Sequence, residues 1–239
     1  MEKLKAAVHA LGMEYTEKMD AQFRFYMEGV LSRNREINLT AITDEEEFIT
    51  KHFIDSVLCA DMPEMHKATA IIDIGTGAGF PGVPLAILFP KKSFVLADSL
   101  KKRLNIIEEL CAGAGIFNVT VVHARAEDLA KSKEHREAYD LCISRAVANM
   151  ATLAEYCLPF IKQGGYFLAY KGPDAEAELS EARGAIFLLG GNRERIHGPR
   201  QELLPLFPLQ HKIAVIKEIK GTPSKYPRKA GLPSKEPLK

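Results

Sequence analysis

The segment IIDIGTGAGFPG, at residues 71–82, gives the strongest indication of how this chain folds. Its first four residues include three isoleucines, which is typical of a short strand buried on both faces of a parallel sheet. Glycines follow at once, and glycine permits positive φ angles and lets a ligand approach the backbone closely. A buried strand that enters a glycine-rich turn predicts an α/β domain with a ligand at that turn.

The glycine turn is compatible with two kinds of ligand. Gly77, Gly79 and Gly82 match the GxGxxG spacing of dinucleotide sites, so a nicotinamide-dependent oxidoreductase is one alternative. Asp73 argues against this alternative, because its carboxylate would lie close to a pyrophosphate that already carries two negative charges. A cofactor that carries an ammonium and a sulfonium group would instead be attracted to the carboxylate.

Asp98 provides a second acidic position, at the end of the next predicted strand. A carboxylate there can accept hydrogen bonds from both hydroxyls of an adenosine ribose. Taken alone, it could equally be an acid that the dipole of the following helix favours. The DxGxGxG pattern followed by such an acid resembles class I S-adenosylmethionine-dependent methyltransferases. We therefore expect S-adenosylmethionine to be bound by Asp73, Gly75, Gly77, Gly79 and Asp98.

Strand and helix patterns alternate along the rest of the chain. Strands are predicted at residues 70–74, 93–97, 119–122, 139–143, 165–170, 194–196 and 213–219. Helices are predicted from the glycine turn to residue 89 and at residues 99–114, 149–158 and 174–189. This alternation is typical of an α/β Rossmann-like fold, with a mostly parallel seven-stranded sheet flanked by helices.

The residues before this alternating region are predicted to be helical. Apolar residues between Met19 and Leu31 recur with the spacing of one buried helix face. Thr43 and Glu46 have the spacing of a capping box and would begin a helix that reaches about Ala60, with Pro63 at or beyond its end. We divide the chain into an N-terminal helical segment, a methyltransferase domain and a basic C-terminal tail, at residues 1–60, 61–220 and 221–239.

The C-terminal residues are rich in positive charge. From Lys217 onward the sequence has seven basic residues, two acidic residues and four prolines. This composition indicates an extended basic terminus rather than a packed element. The terminus is either a solvated end of the chain or an arm that contacts phosphates, and both alternatives remain open here.

Composition excludes several classes of protein. The 239 residues are 46% hydrophobic and 26% charged, as in globular domains and unlike collagen, coiled coils or disordered chains. No apolar run has the length of a membrane helix, and the first residues lack the apolar core of a signal peptide. The four cysteines include no CxxC pair. We expect a cytoplasmic monomer with no metal ion and no membrane contact.

Charged residues follow several predicted strands at their carboxyl ends, where open α/β sheets bind ligands. Ala126 and Glu127 come after the third strand and are expected to meet the adenine and ribose of the cofactor. Arg125, Arg145 and Lys171 are cations that a positively charged cofactor does not need. We infer a second, anionic ligand, for which phosphate is the natural candidate.

The methyl acceptor is inferred from motifs that the sequence lacks. It has no Asn/Asp-Pro-Pro-aromatic motif, which enzymes that methylate exocyclic amines of bases carry. Cys142 and Cys157 lie in apolar segments and are interpreted as core residues rather than nucleophilic thiolates. Guanine N7 carries no proton, so its methylation needs alignment and no general base. This reasoning permits N7 and leaves small-molecule or protein acceptors open.

Several motifs occur in the order found in one known family. They are Asn38-Leu39-Thr40, His52 with Asp55-Ser56, residues 73–84, Asp98-Ser99, Ser144-Arg145-Ala146, Lys171-Gly172 and residues 226–231. On these motifs the chain resembles the bacterial RsmG (GidB) family over essentially its whole length. The resemblance implies methylation of N7 of guanine 527, in the 530 loop of 16S ribosomal RNA, within the small subunit or its precursor. It also implies that Gly75, Phe80, Ala126, Glu127 and Arg145 contact the cofactor.

Residues outside the cofactor site have two interpretations each. Arg145, Lys171 and His52 are the predicted catalytic residues, although His52 could be a partly buried histidine paired with Asp55 and Lys171 a solvated strand end. The predicted RNA-binding residues are Arg125, Lys171, Arg228 and Lys229. Methylation of a different RNA and a non-catalytic role in ribosome assembly remain alternatives.

Overall fold

Seven β-strands occur among the residues that the computed structural model describes, which are 1–145, 148–201, 203, 207, 209 and 211–239. They are β1 (Ala70–Ile74), β2 (Ser93–Asp98), β3 (Val119–His123), β4 (Tyr139–Arg145), β5 (Ile161–Lys171), β6 (Gly191–His197) and β7 (Lys212–Glu218). Each strand predicted from the sequence is confirmed. The fifth and sixth are longer than predicted, and the fifth begins where Ile161 pairs with Tyr139.

The strands form one sheet in the order β3-β2-β1-β4-β5-β7-β6. Strands β1 to β5 are parallel to one another, and β7 is antiparallel to both β5 and β6. The chain runs outward from β1 to β3 and then returns to β4, on the other side of β1. At such a reversal a ligand crevice opens beyond the carboxyl ends of the strands. The predicted Rossmann-like, mostly parallel sheet is confirmed.

Helices flank this sheet. They are α1 (Glu2–Ala10), α2 (Glu17–Arg33), α3 (Glu45–Phe48), α4 (Pro63–Lys67), α5 (Gly82–Leu88), α6 (Lys101–Gly113), α7 (Ala126–Leu129), α8 (Met150–Cys157), α9 (Ala175–Glu181), α10 (Arg183–Leu188) and α11 (Leu232–Lys235). A π-helical segment (Ile49–Ile54) and a 3-10 turn (Val57–Cys59) continue from α3. A further 3-10 turn (Leu158–Phe160) follows α8. In the described parts of the chain, no helix has the length and apolar character needed to span a membrane.

Apolar side chains cover both faces of the sheet. On one face the rings of Phe23, Phe48 and Phe53 are fully buried together with residues of α5 and α6. On the other face α8, α9 and α10 contribute the core, and it includes Cys142 and Cys157. The prediction that these two cysteines fill the core is confirmed. The N-terminal helices thus form one wall of the domain.

The N-terminal boundary of α3 differs from the prediction by one residue. Its N-cap is Asp44, whose side chain accepts a hydrogen bond from the backbone N–H of Glu47 (2.8 Å), so the predicted cap Thr43 is wrong. Aspartate and threonine are both good N-caps, and spacing does not separate two adjacent candidates. Pro63 lies beyond this helical region and opens α4, because proline is tolerated in a first helical turn. The helix predicted over residues 174–189 is divided into α9 and α10.

The C-terminal residues pack on the domain instead of extending into solvent. Tyr226 is buried, and residues 232–235 form α11. Arg228 pairs with Glu155, which is fully buried on α8. The expectation of an unpacked terminus is therefore wrong. It could not be corrected from the sequence, because a basic composition does not show that one of the arginines has a buried carboxylate as a partner.

Candidate active site

The glycine turn after β1 is held in place by hydrogen bonds that its backbone amides donate. The backbone N–H groups of Gly75 and Thr76 both donate to the carbonyl oxygen of Ala97 at the end of β2 (2.9 and 3.2 Å). Oδ2 of Asp73 accepts hydrogen bonds from Oγ1 of Thr76 (2.7 Å) and from the backbone N–H of Gly82 (2.9 Å). Protein hydrogen bonds therefore hold the turn in its conformation.

Asp73 also has an oxygen without a partner. Its Oδ1 is buried and has no hydrogen-bond partner among the described residues. Burial raises the pKa of Asp73 to about 7, because a charged carboxylate loses its hydration there. Asp73 was predicted from the sequence to contact the cofactor, and its role in closing the turn was not predicted. The spacing of Asp73 and Thr76 was the available signal, since an acidic side chain often bonds to residues a few positions on.

Tyr26 of α2 packs directly against the turn. Its hydroxyl donates to the carbonyl oxygen of Ala78 (2.9 Å) and is fully buried. Gly79 has a φ of 88°, and a Cβ on it would lie 2.3 Å from this hydroxyl oxygen. Only glycine therefore fits at position 79, both for its backbone conformation and for the close approach of Tyr26.

A cavity of about 560 Å³ opens beside the turn, at the carboxyl ends of β1, β2 and β3. Four of the predicted cofactor residues line it, namely Gly75, Asp98, Ala126 and Glu127. Oδ2 of Asp98 accepts a hydrogen bond from the backbone N–H of Gly77 (2.9 Å), and its Oδ1 accepts one from Leu100 (2.9 Å). Asp98 thus joins the glycine turn to the loop that follows β2.

This cavity fits a nucleoside-containing cation such as S-adenosylmethionine. Its volume lies within the range of small-molecule sites. The carboxylate of Asp98 is in its lining, whereas Asp73, in the same turn, is 0% exposed and does not line it. Gly77, with a φ of 62°, leaves open space where a Cβ would be, so a ligand can approach the backbone there. These features supply the negative charge and the backbone access that the cofactor requires.

Phe80, His52 and Arg145 form a second cluster that continues from the glycine turn. The imidazole of His52 stacks on the ring of Phe80, with centroids 4.5 Å apart and an interplanar angle of 1°. The guanidinium carbon of Arg145 lies 5.5 Å from the centroid of the same ring. The structure brings these three predicted site residues together, whereas Ala146, from the same motif as Arg145, lies outside the described residues.

His52 is neutral in this cluster. Arginine can only donate hydrogen bonds, so Nδ1 of His52 accepts from Nη2 of Arg145 (3.3 Å) and the ring proton is on Nε2. Nε2 then donates to Oγ1 of Thr40 (2.7 Å). Burial, and next the charge of Arg145, lower the pKa of His52 to about 3. His52 is thus a partly buried histidine whose partners are Thr40 and Arg145 and not the expected Asp55, and its role in the site stays a prediction.

Asp55 fixes the position of Arg145. Its Oδ2 accepts a hydrogen bond from Nη1 of Arg145 (2.7 Å), and its Oδ1 lies 2.7 Å from Nδ1 of His211. Nη1 of Arg145 also donates to the carbonyl oxygen of Lys51 (3.1 Å). His211 was not predicted as part of this cluster, because no local pattern connects it to a carboxylate 156 positions away.

Lys171 lies at the end of β5 with its ammonium group turned inward. Its Nζ donates to the carbonyl oxygen of Ala148 (2.6 Å) and pairs with Glu178 (2.7 Å). Only 9% of the side chain is exposed, so the alternative of a solvated strand end is wrong. These contacts tie Ala148 and Glu178 to the end of β5. A direct role in catalysis or RNA binding stays a prediction.

The other predicted RNA-binding residues differ in their surroundings. Arg125 is exposed and lines the cavity. Lys229 is exposed, whereas the guanidinium of Arg228 binds the carboxylate of Glu155. In the described part of the chain, no group of three histidine, cysteine, aspartate or glutamate side chains is arranged to hold a metal ion.

Known proteins resemble this chain along nearly its whole length. A family model described as rRNA small subunit methyltransferase G matches residues 19–204. Ribosomal RNA small subunit methyltransferase G of Alkaliphilus oremlandii is 48% identical over 237 residues, covering 99% of this chain and 98% of the relative. The protein of the same name from Clostridium novyi is 46% identical over 235 residues, covering 98% of this chain and 96% of the relative.

Solved structures share the fold at low sequence identity. A SAM-dependent O-methyltransferase from Thermotoga maritima superposes with a TM-score of 0.52 at 15% identity, and the match covers 80% of this chain and 71% of the Thermotoga chain. TrmN from Thermus thermophilus superposes with a TM-score of 0.51, also at 15% identity, and the match covers 70% of this chain and 48% of the TrmN chain. The predicted class I methyltransferase fold is therefore confirmed.

Proposed function

This chain belongs to the rRNA small subunit methyltransferase G family, and we propose that it methylates N7 of guanine 527 in 16S ribosomal RNA. As a member of that family it is an S-adenosylmethionine-dependent methyltransferase. The nicotinamide-dependent alternative is therefore wrong, and Asp73 is the residue that argued against it from the sequence.

One arrangement supports this function above all others. A cavity that fits the cofactor lies beside a buried cluster of Phe80, His52 and Arg145 in which no side chain is prepared to act as a base. Of these three residues, His52 is the one whose side chain could accept a proton. Its low pKa, and the hydrogen bond that its Nδ1 accepts from Arg145, leave it unable to take a proton near neutral pH. An acceptor atom with a free lone pair, such as guanine N7, needs no base.

The residues of the chain would act by binding and alignment. S-adenosylmethionine supplies an electrophilic methyl group on a sulfonium sulfur. We propose that Asp73, Gly75, Gly77, Gly79, Asp98, Ala126 and Glu127 hold this cofactor. The half-buried ring of His52, which stacks on the buried ring of Phe80, offers a flat surface for a base to pack on, and the guanidinium of Arg145, held by Asp55, is a fixed positive charge beside it. Such alignment and charge placement account for catalysis without proton transfer.

The remaining parts of the chain have supporting roles in this proposal. The N-terminal segment 1–60 supplies His52 and Asp55 to the cleft of the methyltransferase domain, residues 61–220. Arg125 and Lys229 are exposed cations suited to phosphate contact, and Lys171 positions Ala148. We propose that the substrate is the small ribosomal subunit or its precursor, and that the chain acts in the cytoplasm as a monomer without a metal ion.

Mapping the methylated atom tests this function. Small ribosomal subunits from cells without this modification would be incubated with the protein and labelled S-adenosylmethionine, and 7-methylguanine would be located by cleavage and reverse transcription. We expect a single stop at guanine 527. Arg145→Ala should lower the rate by about 100-fold or more, as the loss of a preorganised charge does. Arg193→Ala, which removes an exposed arginine on β6, is the matched control and should keep the wild-type rate.

Labelling elsewhere would overturn the acceptor assignment. Modification of another guanine, or of an exocyclic amine, would mean a different RNA target within the same enzyme class. Absence of any methyl transfer by the folded, cofactor-bound protein would favour a role in ribosome assembly without catalysis.

A further inference from the structure

The C-terminal segment, residues 221–239, is anchored by a buried ion pair. Nε of Arg228 donates to Oε1 of Glu155 (3.0 Å) and its Nη2 donates to Oε2 (2.7 Å). The backbone N–H of Arg228 donates to the same Oε1 (2.8 Å). Glu155 is 0% exposed, so water cannot replace this partner. Arg228 is therefore occupied with holding the segment on α8.

Further hydrogen bonds fix the segment on both sides of Arg228. Nη1 of Arg136 donates to the carbonyl oxygen of Tyr226 (2.9 Å), and its Nη2 donates to that of Thr222 (2.6 Å). Oγ1 of Thr152 donates to the carbonyl oxygen of Pro233 (2.9 Å). Backbone carbonyls that are bonded in this way keep the segment in one conformation. It is an ordered part of the domain.

The anchored segment reaches the cavity beside the glycine turn. Gly231 has a φ of 81°, and its backbone N–H donates to Oε1 of Glu127 (2.8 Å), a buried residue of the cavity lining. The same cavity is also lined by three residues of the C-terminal segment, Gly231, Ser234 and Lys235. Residues more than one hundred positions apart thus share one wall.

We propose that the C-terminal segment is a wall of the S-adenosylmethionine site and that Ser234 and Lys235 contact the adenine-bearing part of the cofactor. This inference rests on the proposed function, which puts the cofactor in this cavity. Adenine presents ring nitrogens that accept hydrogen bonds and an amino group that donates them, and the Ser234 hydroxyl can do both. The methylene stem of Lys235 can cover the base while its ammonium group stays in water.

Ser234 and Lys235 are exposed side chains on an ordered backbone. Ser234 and Lys235 are exposed, so neither is needed to fill the core. Their backbone is nevertheless fixed by Gly231 on one side and by the bonded carbonyl of Pro233. Side chains that are solvent-exposed on a fixed backbone at a cavity wall are suited to ligand contact, because the backbone pays no ordering cost when the ligand binds.

A pair of tryptophan substitutions tests the proposal. The chain has no tryptophan, so Ser234→Trp and Ser224→Trp each introduce a single indole on an exposed serine of the same segment. Binding of S-adenosylhomocysteine, the demethylated product, would be measured by calorimetry on the full chain without RNA. We expect Ser234→Trp to weaken binding at least tenfold, because the indole occupies part of the cavity, and Ser224→Trp to bind as wild type does. Equal affinities for the two variants would overturn the proposal.

A second variant covers the case in which Ser234→Trp does not fold. Ser234→Ala combined with Lys235→Ala removes both side chains beyond Cβ and adds no bulk, and it should weaken binding three- to tenfold with an unchanged melting temperature. Wild-type affinity in this double variant would also overturn the proposal. If neither wild type nor Ser224→Trp binds S-adenosylhomocysteine, the proposed cofactor site itself has failed, which is a different result from a loss confined to position 234.

Discussion

The two ends of the chain pack on the methyltransferase domain by different kinds of contact. The N-terminal segment does so with buried rings, since Phe23 and Phe53 are fully buried and Tyr26 bonds to the turn itself. The C-terminal segment does so with charge and backbone hydrogen bonds, chiefly the pair of Arg228 with Glu155. One end is held by apolar burial and the other by polar pairing.

This difference determines how each end responds to substitution. Apolar packing is non-directional, so its loss scales with the area and volume removed. A buried ion pair is directional, and removal of one partner leaves an uncompensated charge, although replacement of both partners can be neutral. The C-terminal segment should therefore be sensitive to single changes and tolerant of matched double changes.

Arg228→Ala is expected to have the largest effect on stability. It leaves the carboxylate of Glu155, which is 0% exposed, without its cation. The free energy of unfolding should fall by about 4 kcal/mol, as measured by urea denaturation. Replacing both Arg228 and Glu155 with methionine should restore most of that loss. A loss below about 1 kcal/mol in the single variant would mean that the ion pair does not anchor the segment.

Phe53→Ala is expected to have the next largest effect. Its ring is fully buried and packs against Phe23 at 4.9 Å and Phe80 at 6.1 Å between centroids. The cavity left behind should lower the free energy of unfolding by about 3 kcal/mol. Unlike the loss in the ion pair, this loss should not be recovered by a second substitution that removes a charge. Phe25→Ala, on the exposed side of α2, is the matched control and should change stability by less than about 0.5 kcal/mol.

Glu218→Gln should stabilise the protein above about pH 4.5, and most strongly above about pH 8. Glu218 is fully buried at the end of β7, and its carboxylate oxygens have no hydrogen-bond partner among the described residues. Burial and the nearby charge of Glu137 raise the pKa of Glu218 to about 8. Because the pKa is higher in the folded than in the unfolded protein, its contribution to stability is complete below about pH 4.5 and is lost as the pH rises through 8.

The glutamine variant removes this loss. At pH 9 its free energy of unfolding should exceed that of wild type by at least about 2 kcal/mol, and at pH 4 the two should not differ. Denaturation curves at both pH values check this result. Asp73 titrates in both proteins, so the difference between them isolates Glu218. Equal pH dependence in the two proteins would show that the carboxyl group of Glu218 stays solvated.

Tyr26→Phe should have a smaller effect that reaches the cofactor. It removes the hydrogen bond to the carbonyl oxygen of Ala78 while keeping the buried ring. We expect a loss of about 1 kcal/mol in stability. We also expect a several-fold loss in affinity for S-adenosylhomocysteine, because the glycine turn loses a support. Tyr15→Phe, which removes the hydroxyl that bonds to Asp20 near the surface, should leave that affinity unchanged.

Lys229→Ala should have the smallest effect on stability, below about 0.5 kcal/mol, because the side chain is exposed. If the residue contacts a phosphate, RNA binding should weaken, and the slope of log affinity against log salt should become shallower by about 0.7 to 0.9. Binding titrations at several salt concentrations measure this slope. An unchanged slope would restrict the C-terminal segment to its structural and cofactor contacts.

Local patterns in the sequence were sufficient to predict the sheet and the glycine turn. The apolar run before Gly75 has the period of a buried strand, and Asp73 and Asp98 are at positions that the strand order brings to one edge. Such features depend on neighbours within a few residues, so their physical cause is visible in the sequence itself.

Polar contacts between distant residues were not predictable in the same way. His211 and Asp55 are 156 positions apart, and Arg228 and Glu155 are 73 positions apart. A charged residue in a basic stretch looks the same in sequence whether it is solvated or paired with a buried carboxylate. The packed C-terminal segment was missed for this reason, because its order comes from partners on α8 and not from its own composition.

The hydrogen bonds within the glycine turn have a consequence for the thermodynamics of ligand association. The amides of Gly75 and Thr76 are already bonded to Ala97, and that of Gly82 to Asp73. Cofactor association should therefore freeze little additional backbone motion, so that its entropy is dominated by released water. The measured heat capacity change should then match the apolar area of the ligand alone, with no contribution from coupled folding.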